Sequence, residues 1–529
     1  MLSVEAASAT LNGLREDSAT GPDLLPTRIL KQCAAALALP VYLLALAILQ
    51  AGTWPRCWCI HWLAAVYKKK SVYDPANYRG VHITAQLAKV LERLLQPVFR
   101  PALMSEISIG ANQFAYCHGR GARDVIAYLT LSWLKAFQEK SRVALYMSDV
   151  SAAFDRVFMD RLLAKLRARG VPNDILKVFA SWLRTRGAVV VVGGCKSTKM
   201  CLENMVFQGT VWDPMLWNVF FADASDAIRS KAFTEMVFAD DLNAFRMYDA
   251  KAKTEAILAD MDACQLELHK WGQANQVTFD ARKESQHILS RQRPYGEPFE
   301  LLGVLFDCKL LMTDTVLDLV RDCRWKLKAI LRTGRFNTGL QLVAVYKAQL
   351  LSFIEYRTAA IYHACGSSLE RLDHIQEKLL EAAGMTAIEA LKVGHLALLA
   401  ARRDMALLGL IHRTVLGRGP AHFAEIFVAD RPAREAALMS GKHRLQLREY
   451  SGGHWTDFAY PNSRPADYIE HSMLGLISVY NSLPAQIVES SGSVSSFQAA
   501  LQQLLAATVN DSTADDWATA FSPRRSYRH

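Results

Sequence analysis

The sequence predicts an α+β fold, with an antiparallel sheet backed by helices in its middle, a largely helical region after it and a mixed region before it. Three observations carry that prediction. Strand-like runs at Val143–Met147, Val189–Val192, Met236–Val237 and Ala244–Met247 alternate with helical periodicity at Arg161–Arg169 and Lys251–Trp271. After Asp314 the pattern turns helical through Val316–Leu331, Leu340–Ala364 and Leu369–Ala383, punctuated by Gly334, Gly339 and Gly366. The 529 residues, 51% hydrophobic and 21% charged, suffice for several domains and are far too apolar for disorder.

Taken in order, residues 1–131 mix helices with short strands, and Asp23, ahead of a periodic apolar stretch, is placed to start the first helix. Cys33–Gln50 is almost wholly apolar and close to the length of a bilayer span. Pro40 interrupts it and its flanks lack a topogenic charge bias, so a buried helical pair is expected and no membrane partner. Residues 132–298 hold the alternating strands and helices. Residues 299–386 add a hairpin over Phe299–Phe306 and then helices. Residues 387–529 continue helical, loosen around Ser451-Gly452-Gly453 and Pro461–Pro465, and end in a basic tail, Ser522–His529. No chemistry attaches to this last region.

Lys and Arg total 61 against 51 Asp and Glu, a net charge of +10 and a pI near 9.0, which fits a phosphate-rich partner. The grouping of Lys68, Lys69, Lys70, Arg79 and Lys89 says more than the total, although such a run is also what a solvated face looks like. Among ten cysteines there is no C-x-x-C pair, and Cys57 and Cys59 have no partner pair nearby, which argues against zinc. Buried free thiols in a reducing compartment, nucleus or cytoplasm, are the expectation. No basic and apolar leader opens the chain, so secretion is unsupported.

Two acidic sites carry the chemistry. In Leu145-Tyr146-Met147-Ser148-Asp149-Val150-Ser151-Ala152-Ala153-Phe154-Asp155 an apolar strand runs into an acid and then turns toward a helix. In Phe238-Ala239-Asp240-Asp241 two carboxylates sit at what reads as the turn of a short hairpin. Either alone is more often a solvated turn or a helix cap. Acids at two strand ends that converge through the fold are the means of holding Mg²⁺ for nucleotidyl transfer, and together they point to a polymerase palm. The order adds weight: strand-Asp149-helix, Gln208-Gly209, the Asp240-Asp241 hairpin, Lys283, then Leu301-Leu302-Gly303-Val304.

At this point the chain resembles the reverse transcriptases of non-LTR, LINE-type retrotransposons, in the jockey-like group, over most of its length. Gly21-Pro22-Asp23 resembles the family's opening motif, and Tyr67-Lys68-Lys69-Lys70 with Asn77-Tyr78-Arg79-Gly80-Val81 its "YKK…NYRPI" motif. Gln113-Phe114-Ala115-Tyr116 with Gly119-Arg120 resembles the next. Asp149–Asp155 is similar to "DxxxAFD", Gln208-Gly209-Thr210 to the "QG" loop and Phe238–Asp241 to "FADD". Tyr480-Asn481-Ser482-Leu483-Pro484 and Ser496-Phe497 resemble "WNSLP…SFK". The chain departs from the pattern at Gly80, where Pro is usual, at Cys117-His118 in place of "RP", at Trp212-Asp213-Pro214 in place of "LSP", and at Tyr480 in place of Trp. None of these removes an expected metal ligand.

The resemblance implies a right-hand polymerase: fingers over 1–131, palm over 132–298, palm-edge hairpin and helical thumb over 299–386, and a C-terminal extension over 387–529. It implies RNA-directed DNA synthesis with Mg²⁺, or Mn²⁺ in its place, on an RNA template and a DNA primer with dNTPs. Asp149 and Asp240 become the bridging metal ligands, the Val150 carbonyl and Asp241 their helpers, and Lys283 the general acid for pyrophosphate. Asp155 is the competing ligand, set aside because it is expected to begin a helix, whose dipole alone stabilises an acid. Phe154 is either a core residue of that helix or, by resemblance, the wall under the incoming sugar that favours deoxynucleotides. Arg79 and Lys68 would hold the triphosphate, Gln208-Gly209 would approach the template base and nucleotide, and Leu301-Leu302-Gly303 would turn beneath the primer end. Elements of this kind usually encode an endonuclease first, and the first motif here begins almost at Met1, so a fragment, an internal start or a nuclease supplied elsewhere is expected. The competing reading is a truncated or degenerate element product that binds RNA without polymerising. An intron-maturase or telomerase-like polymerase is disfavoured by the "NSLP" stretch.

Overall fold

The computed structural model describes residues 2–68, 70–424, 426–429, 445–447, 471–511 and 520–521. Lys69, the Gly/Ser/Pro stretch around 451–465 and the basic tail lie outside the described residues. The chain divides into two compact units: Met1–Cys117 with Tyr146–Phe245 and Leu258–Ser285, and His118–Leu145 with Arg246–Ile257 and Gln286–His529.

In the first unit, β1 (Ile60–Tyr67) and β2 (Tyr78–Ile83) form an antiparallel pair with Ala65 opposite Gly80 and Val66 opposite Arg79. With the four-stranded sheet, the chain adds β3 (Arg142–Asp149), β7 (Thr234–Phe238), β8 (Asp241–Tyr248) and β9 (Ser285–Leu289), ordered β7-β8-β3-β9, while β4 (Arg186–Val192), β5 (Cys195–Lys196) and β6 (Met200–Leu202) join β1 and β2. The run Val189–Val192, grouped by sequence with the aspartate-bearing strands, instead lies parallel to β1, with Trp62 opposite Val189. An uninterrupted valine run fits either sheet, so its period could not choose the partner.

The core of this unit is aromatic. Trp212 lies 5.2–5.4 Å, centroid to centroid, from Trp54, Phe99, Phe179 and Trp182, and its indole N–H donates to the Glu92 carbonyl at 2.8 Å. The buried Glu92 carboxylate accepts from Trp182 Nε1 and the Val211 amide, both at 2.8 Å. Burial raises its pKa, and these donors oppose the rise. Beside it, Arg186 donates to His61 Nε2 at 2.8 Å. His61 therefore carries its proton on Nδ1 and donates it to His82 Nδ1 at 3.1 Å, which leaves both rings neutral. Burial depresses His61 to about 2 and His82 to about 4, with the Arg186 charge adding to both.

Two sequence expectations fail in this unit. Asp23 does not start a helix: the helices are Val4–Asn12, capped by Ser3, and Thr27–Gln32, preceded by Pro26, while Asp23 accepts from the Leu25 amide at 3.4 Å. Cys33–Gln50 is not a helical pair but one helix, Ala34–Ala51, with Pro40 inside it. Pro40 removes a donor to the Ala36 carbonyl, and both residues are exposed, so water satisfies that oxygen at little cost. The helix is long and apolar enough to cross a membrane, with mean hydropathy 2.1, and 28% of it is buried, through Ala34, Ala38, Val41, Ala45 and Ile48.

In the second unit the hairpin β10 (Phe299–Leu301) and β11 (Val304–Phe306) turns through Leu302 and Gly303, both at positive φ, as a two-residue hairpin loop requires. Tyr356 Oη donates to the Leu302 carbonyl at 2.7 Å and Arg357 Nη2 to that of Gly303 at 3.2 Å. Helix Thr313–Leu331 follows. The expected helix over 340–364 is broken into Gly339–Tyr346, a π turn at Lys347–Leu351, Ser352–Tyr356 and Thr358–Ile361, before Gly366–Ala383. Further on, helix Leu399–Val415 packs against Leu476–Ser482 and Val494–Asp511. Tyr480 and Phe497, the two motif aromatics, meet at His412: Tyr480 Oη lies 2.9 Å from Nδ1, and the Phe497 ring stacks on the imidazole at 4.1 Å. Their place is structural. The expectation of buried thiols holds for Cys59, Cys264, Cys308 and Cys323, whereas Cys33, Cys57, Cys195, Cys201 and Cys365 are exposed; all ten are free.

Candidate active site

The expected metal-binding, catalytic and nucleotide-binding residues fall in the first unit, whereas Leu301-Leu302-Gly303, expected beneath the primer end, belongs to the second. Strand β3 ends at Asp149, and the chain leaves the sheet there because Val150 and Ser151 are taken up by a second segment: Val150 bridges Phe279, and the Ser151 amide donates to the Thr278 carbonyl at 2.9 Å. The Asp149 carbonyl accepts from the Asp280 amide at 3.0 Å. The same segment supplies Lys283, whose amide is turned inward by the Asp280 carbonyl at 2.8 Å and whose ammonium forms an ion pair with the buried Asp149 carboxylate. Burial by itself would lower the Lys283 pKa, but the hydrogen bond to Asp149 and the charges of Asp149, Asp280 and Asp240 hold it above the usual lysine value.

Asp240 occupies the turn between β7 and β8, as expected, with Ala239 before it at φ +60°. Burial pushes its carboxyl up to about 7; the charges of Asp149 and Asp241 push the same way, and Lys283 pulls back. The three aspartates and Lys283 are therefore one electrostatic group. A carboxylate that burial and two neighbouring acids push toward its neutral form is stabilised as an anion by positive charge, and oxygen donors of this kind suit a hard divalent cation. Among the described residues, however, no three His, Cys, Asp or Glu side chains stand grouped as a metal-binding set. Lys283, at Asp149, holds the oxygen that a cation would take.

Phe154 lies in a 3₁₀ turn, Ala153–Arg156, and not on a helix; its ring is 5.6 Å from that of Trp217. Asp155 is in the same turn and does not begin a helix, so its demotion on that ground fails; burial raises its pKa and Lys68 lowers it, which places Lys68 by Asp155. The Gln208 carbonyl accepts from the His82 amide at 2.7 Å, tying the Gln208-Gly209 turn to β2. Gly209 has φ +107°, and a Cβ there would come within 2.9 Å of the His82 carbonyl, so the close approach it permits is to a strand of its own fold.

Sequence reasoning missed several groups. Tyr116 has its pKa raised by burial and by Asp213 and Asp240, and lowered by Arg79, so it sits between Arg79 and the acids. Asp213, read only as a departure from "LSP", is a buried acid pushed up to about 8, chiefly by burial; Oδ2 accepts from the Gly209 amide at 3.2 Å. An acid inside Val211-Trp212-Asp213-Pro214-Met215-Leu216-Trp217 was the available signal. Gln113 and Trp217 hold the backbone of Ala239, a contact no pattern announces.

Residues 67–305 match the family described as reverse transcriptase (RNA-dependent DNA polymerase). Over this segment the chain is similar to reverse transcriptase domains. The chain is 24% identical over 398 residues, 72% of its length, to the RNA-directed DNA polymerase from mobile element jockey of Drosophila funebris. It is 27% identical over 221 residues, 42% of its length, to the probable RNA-directed DNA polymerase from transposon BS of Drosophila melanogaster. It spans 43% and 24% of those two proteins, under half of either. Among solved structures it is similar to an apo telomerase of Candida tropicalis truncated from its C-terminal domain, with a TM-score of 0.36 and 10% identity over 54% of this chain and 59% of that one. Asp149, Asp240, Asp241 and Lys283 all lie within the matched segment, as do Phe154, Gln208, Gly209, Arg79 and Lys68.

Proposed function

We propose that the chain is an RNA-directed DNA polymerase of a jockey-like, non-LTR element, joining dNTPs to a primer 3′-hydroxyl on an RNA template. The observation that carries this reading is the meeting of Asp149, Asp240 and Asp241 with Lys283 at two strand ends of the segment similar to reverse transcriptase domains. Asp149 and Asp240 would hold the metal, with the Val150 carbonyl and Asp241 as further oxygen donors. Mg²⁺ or Mn²⁺ bound there supplies acidification of the 3′-hydroxyl and charge neutralisation at the pyrophosphate. Lys283, kept protonated by its acidic neighbours, moves off Asp149 toward the leaving pyrophosphate and donates a proton to it. Phe154 walls the sugar. Arg79, beside Tyr116 and the acids, forks onto phosphate oxygens, and Lys68 adds a point charge. Gln208 and Gly209 line the template side.

The division into fingers (1–131), palm (132–298), thumb with its hairpin (299–386) and extension (387–529) belongs to this reading, as do a DNA primer, a nuclease supplied elsewhere and an intracellular, nuclear or cytoplasmic, place of action. Purified protein with Mg²⁺ or Mn²⁺, poly(rA)/oligo(dT) and dTTP is expected to extend the primer, and Asp240→Ala to abolish extension; full activity in that variant removes the assigned site. One observation favours a second reading, an element product that binds RNA without polymerising: Asp149 is taken by Lys283, and no grouped metal set stands among the described residues. RNA binding without extension in either metal selects it.

A further inference from the structure

The turn that presents Asp240 is held from both sides by side chains to which the metal chemistry assigns no part, Gln113 and Trp217. Gln113 Oε1 accepts from the Ala239 amide at 3.1 Å and from the Ala115 amide at 3.0 Å. The indole N–H of Trp217 donates to the Ala239 carbonyl at 3.0 Å. Both polar groups of this one residue, at φ +60°, are thus satisfied by side chains from two distant segments. Those segments are themselves fixed. Asn112–Phe114 runs beside β7, with the Phe114 amide donating to the Val237 carbonyl at 2.9 Å and the Val237 amide to that of Asn112 at 3.0 Å. Asn218 Nδ2, next to Trp217, donates to the Ala115 carbonyl at 2.9 Å and ties the second segment to the first.

Trp217 does something more. Its ring lies 5.6 Å from Phe154, tilted by 40°, while its N–H holds the turn before Asp240. It is fully buried, on helix Asp213–Phe221. An alanine at positive φ is a conformation that L residues adopt at a cost and keep only where their surroundings impose it. The two side chains are those surroundings for the residue before Asp240.

We propose that Trp217, with Gln113, is a positioning residue of the active site: it locks the Asp240 turn and the Phe154 ring to one another, so that the acid and the wall beside it keep a fixed relation. The proposal rests on the polymerase reading for its consequence in rate, but the immobility of the turn can be measured without any reaction. Two changes separate the two contacts of Trp217. Trp217→Phe keeps an aromatic ring against Phe154 and removes the N–H; Trp217→Leu removes both. Gln113→Met removes the acceptor of the Ala239 amide at similar volume.

The experiment measures amide exchange at Ala239, thermal midpoint, and single-turnover extension with dTTP and with UTP, on the full chain. In Trp217→Phe the expected result is faster exchange at Ala239, a kcat lower by about tenfold, the factor one neutral hydrogen bond supports, and unchanged KM for primer–template and unchanged selection between dTTP and UTP. Gln113→Met is expected to do the same, and Trp217→Leu to weaken that selection as well. Wild-type exchange at Ala239 in both Trp217→Phe and Gln113→Met overturns the proposal, as does a wild-type kcat in an active enzyme. If the unaltered chain extends no primer, the polymerase reading falls and exchange alone decides whether the turn is locked. Should Trp217→Leu fail to fold, Gln113→Met still tests the same peptide unit from its other side.

Discussion

Gly209→Ala tests whether the Gln208-Gly209 turn is built by the close approach of two backbones. At φ +107° an L residue is strained, by about 1–2 kcal/mol for positive φ in general. The new methyl would also stand 2.9 Å from the His82 carbonyl and 3.0 Å from Val81 Cγ1, so β2 or the turn must shift. Overpacking of this kind costs about 1–3 kcal/mol. Together these give roughly 2–5 kcal/mol, which for a unit of this size lowers its melting temperature by on the order of 10 °C. Gly194→Ala is the internal control, because Gly194 also has positive φ, +83°, but nothing lies within 4 Å of its Cβ position. It is expected to cost the strain alone, a few degrees. Differential scanning calorimetry of both variants, with primer extension on each, measures the difference. Equal shifts in the two variants would refute the argument from close approach, and an extension rate in Gly209→Ala equal to that of Gly194→Ala would detach the turn from the site.

Three further outcomes follow from the geometry. Lys283→Gln removes the ammonium from Asp149 and is expected to slow extension by about a hundredfold, within the range for general acids, without weakening Mn²⁺ binding; a rate equal to wild type contradicts the role of Lys283. His82, neutral and depressed to about 4 when folded, takes up its proton more readily when unfolded, so its contribution to stability is present above pH 6.5 and is lost as the pH falls through 4. Relative to His82→Gln, the wild type should lose on the order of 3 kcal/mol between pH 7 and pH 4, seen as converging denaturation curves; parallel pH profiles count against it. Tyr480→Phe removes the hydroxyl from His412 Nδ1 and is expected to cost about 1–2 kcal/mol of stability with no change in extension, whereas a loss of extension at unchanged stability would show that the extension takes part in the chemistry.

What the sequence made legible were features with a local cause. The strand ending at Asp149, the β7–β8 turn at Asp240 and the Phe299–Phe306 hairpin are written in strand-like apolar runs and, in the last, in Gly303, and they lie where the pattern puts them. The placing of Asp149 at a strand end and of Asp240 at a hairpin turn was legible as well, because an apolar run that stops at an acid marks where a strand leaves the sheet. What was hidden depends on distant partners. Pro40 looked like a helix end because its cost depends on whether the Ala36 carbonyl reaches water, which only the packed helix decides. Asp155 looked like a helix start because a 3₁₀ turn and a helix open with the same residues. Gln113 and Trp217 read as one polar and one core residue, and their service to the backbone of Ala239 follows from three segments meeting in space.

The central claim is that Asp149, Asp240 and Asp241 form a site for divalent cations that Lys283 guards in their absence. Titration of the purified chain with Mn²⁺, followed by electron paramagnetic resonance in the wild type and in Asp240→Asn, tests it without nucleotide or template. The account predicts saturable Mn²⁺ binding in the wild type that is lost in Asp240→Asn while the melting temperature stays the same or rises, since one buried charge has been removed from beside two others. Identical Mn²⁺ binding in the two proteins would contradict it.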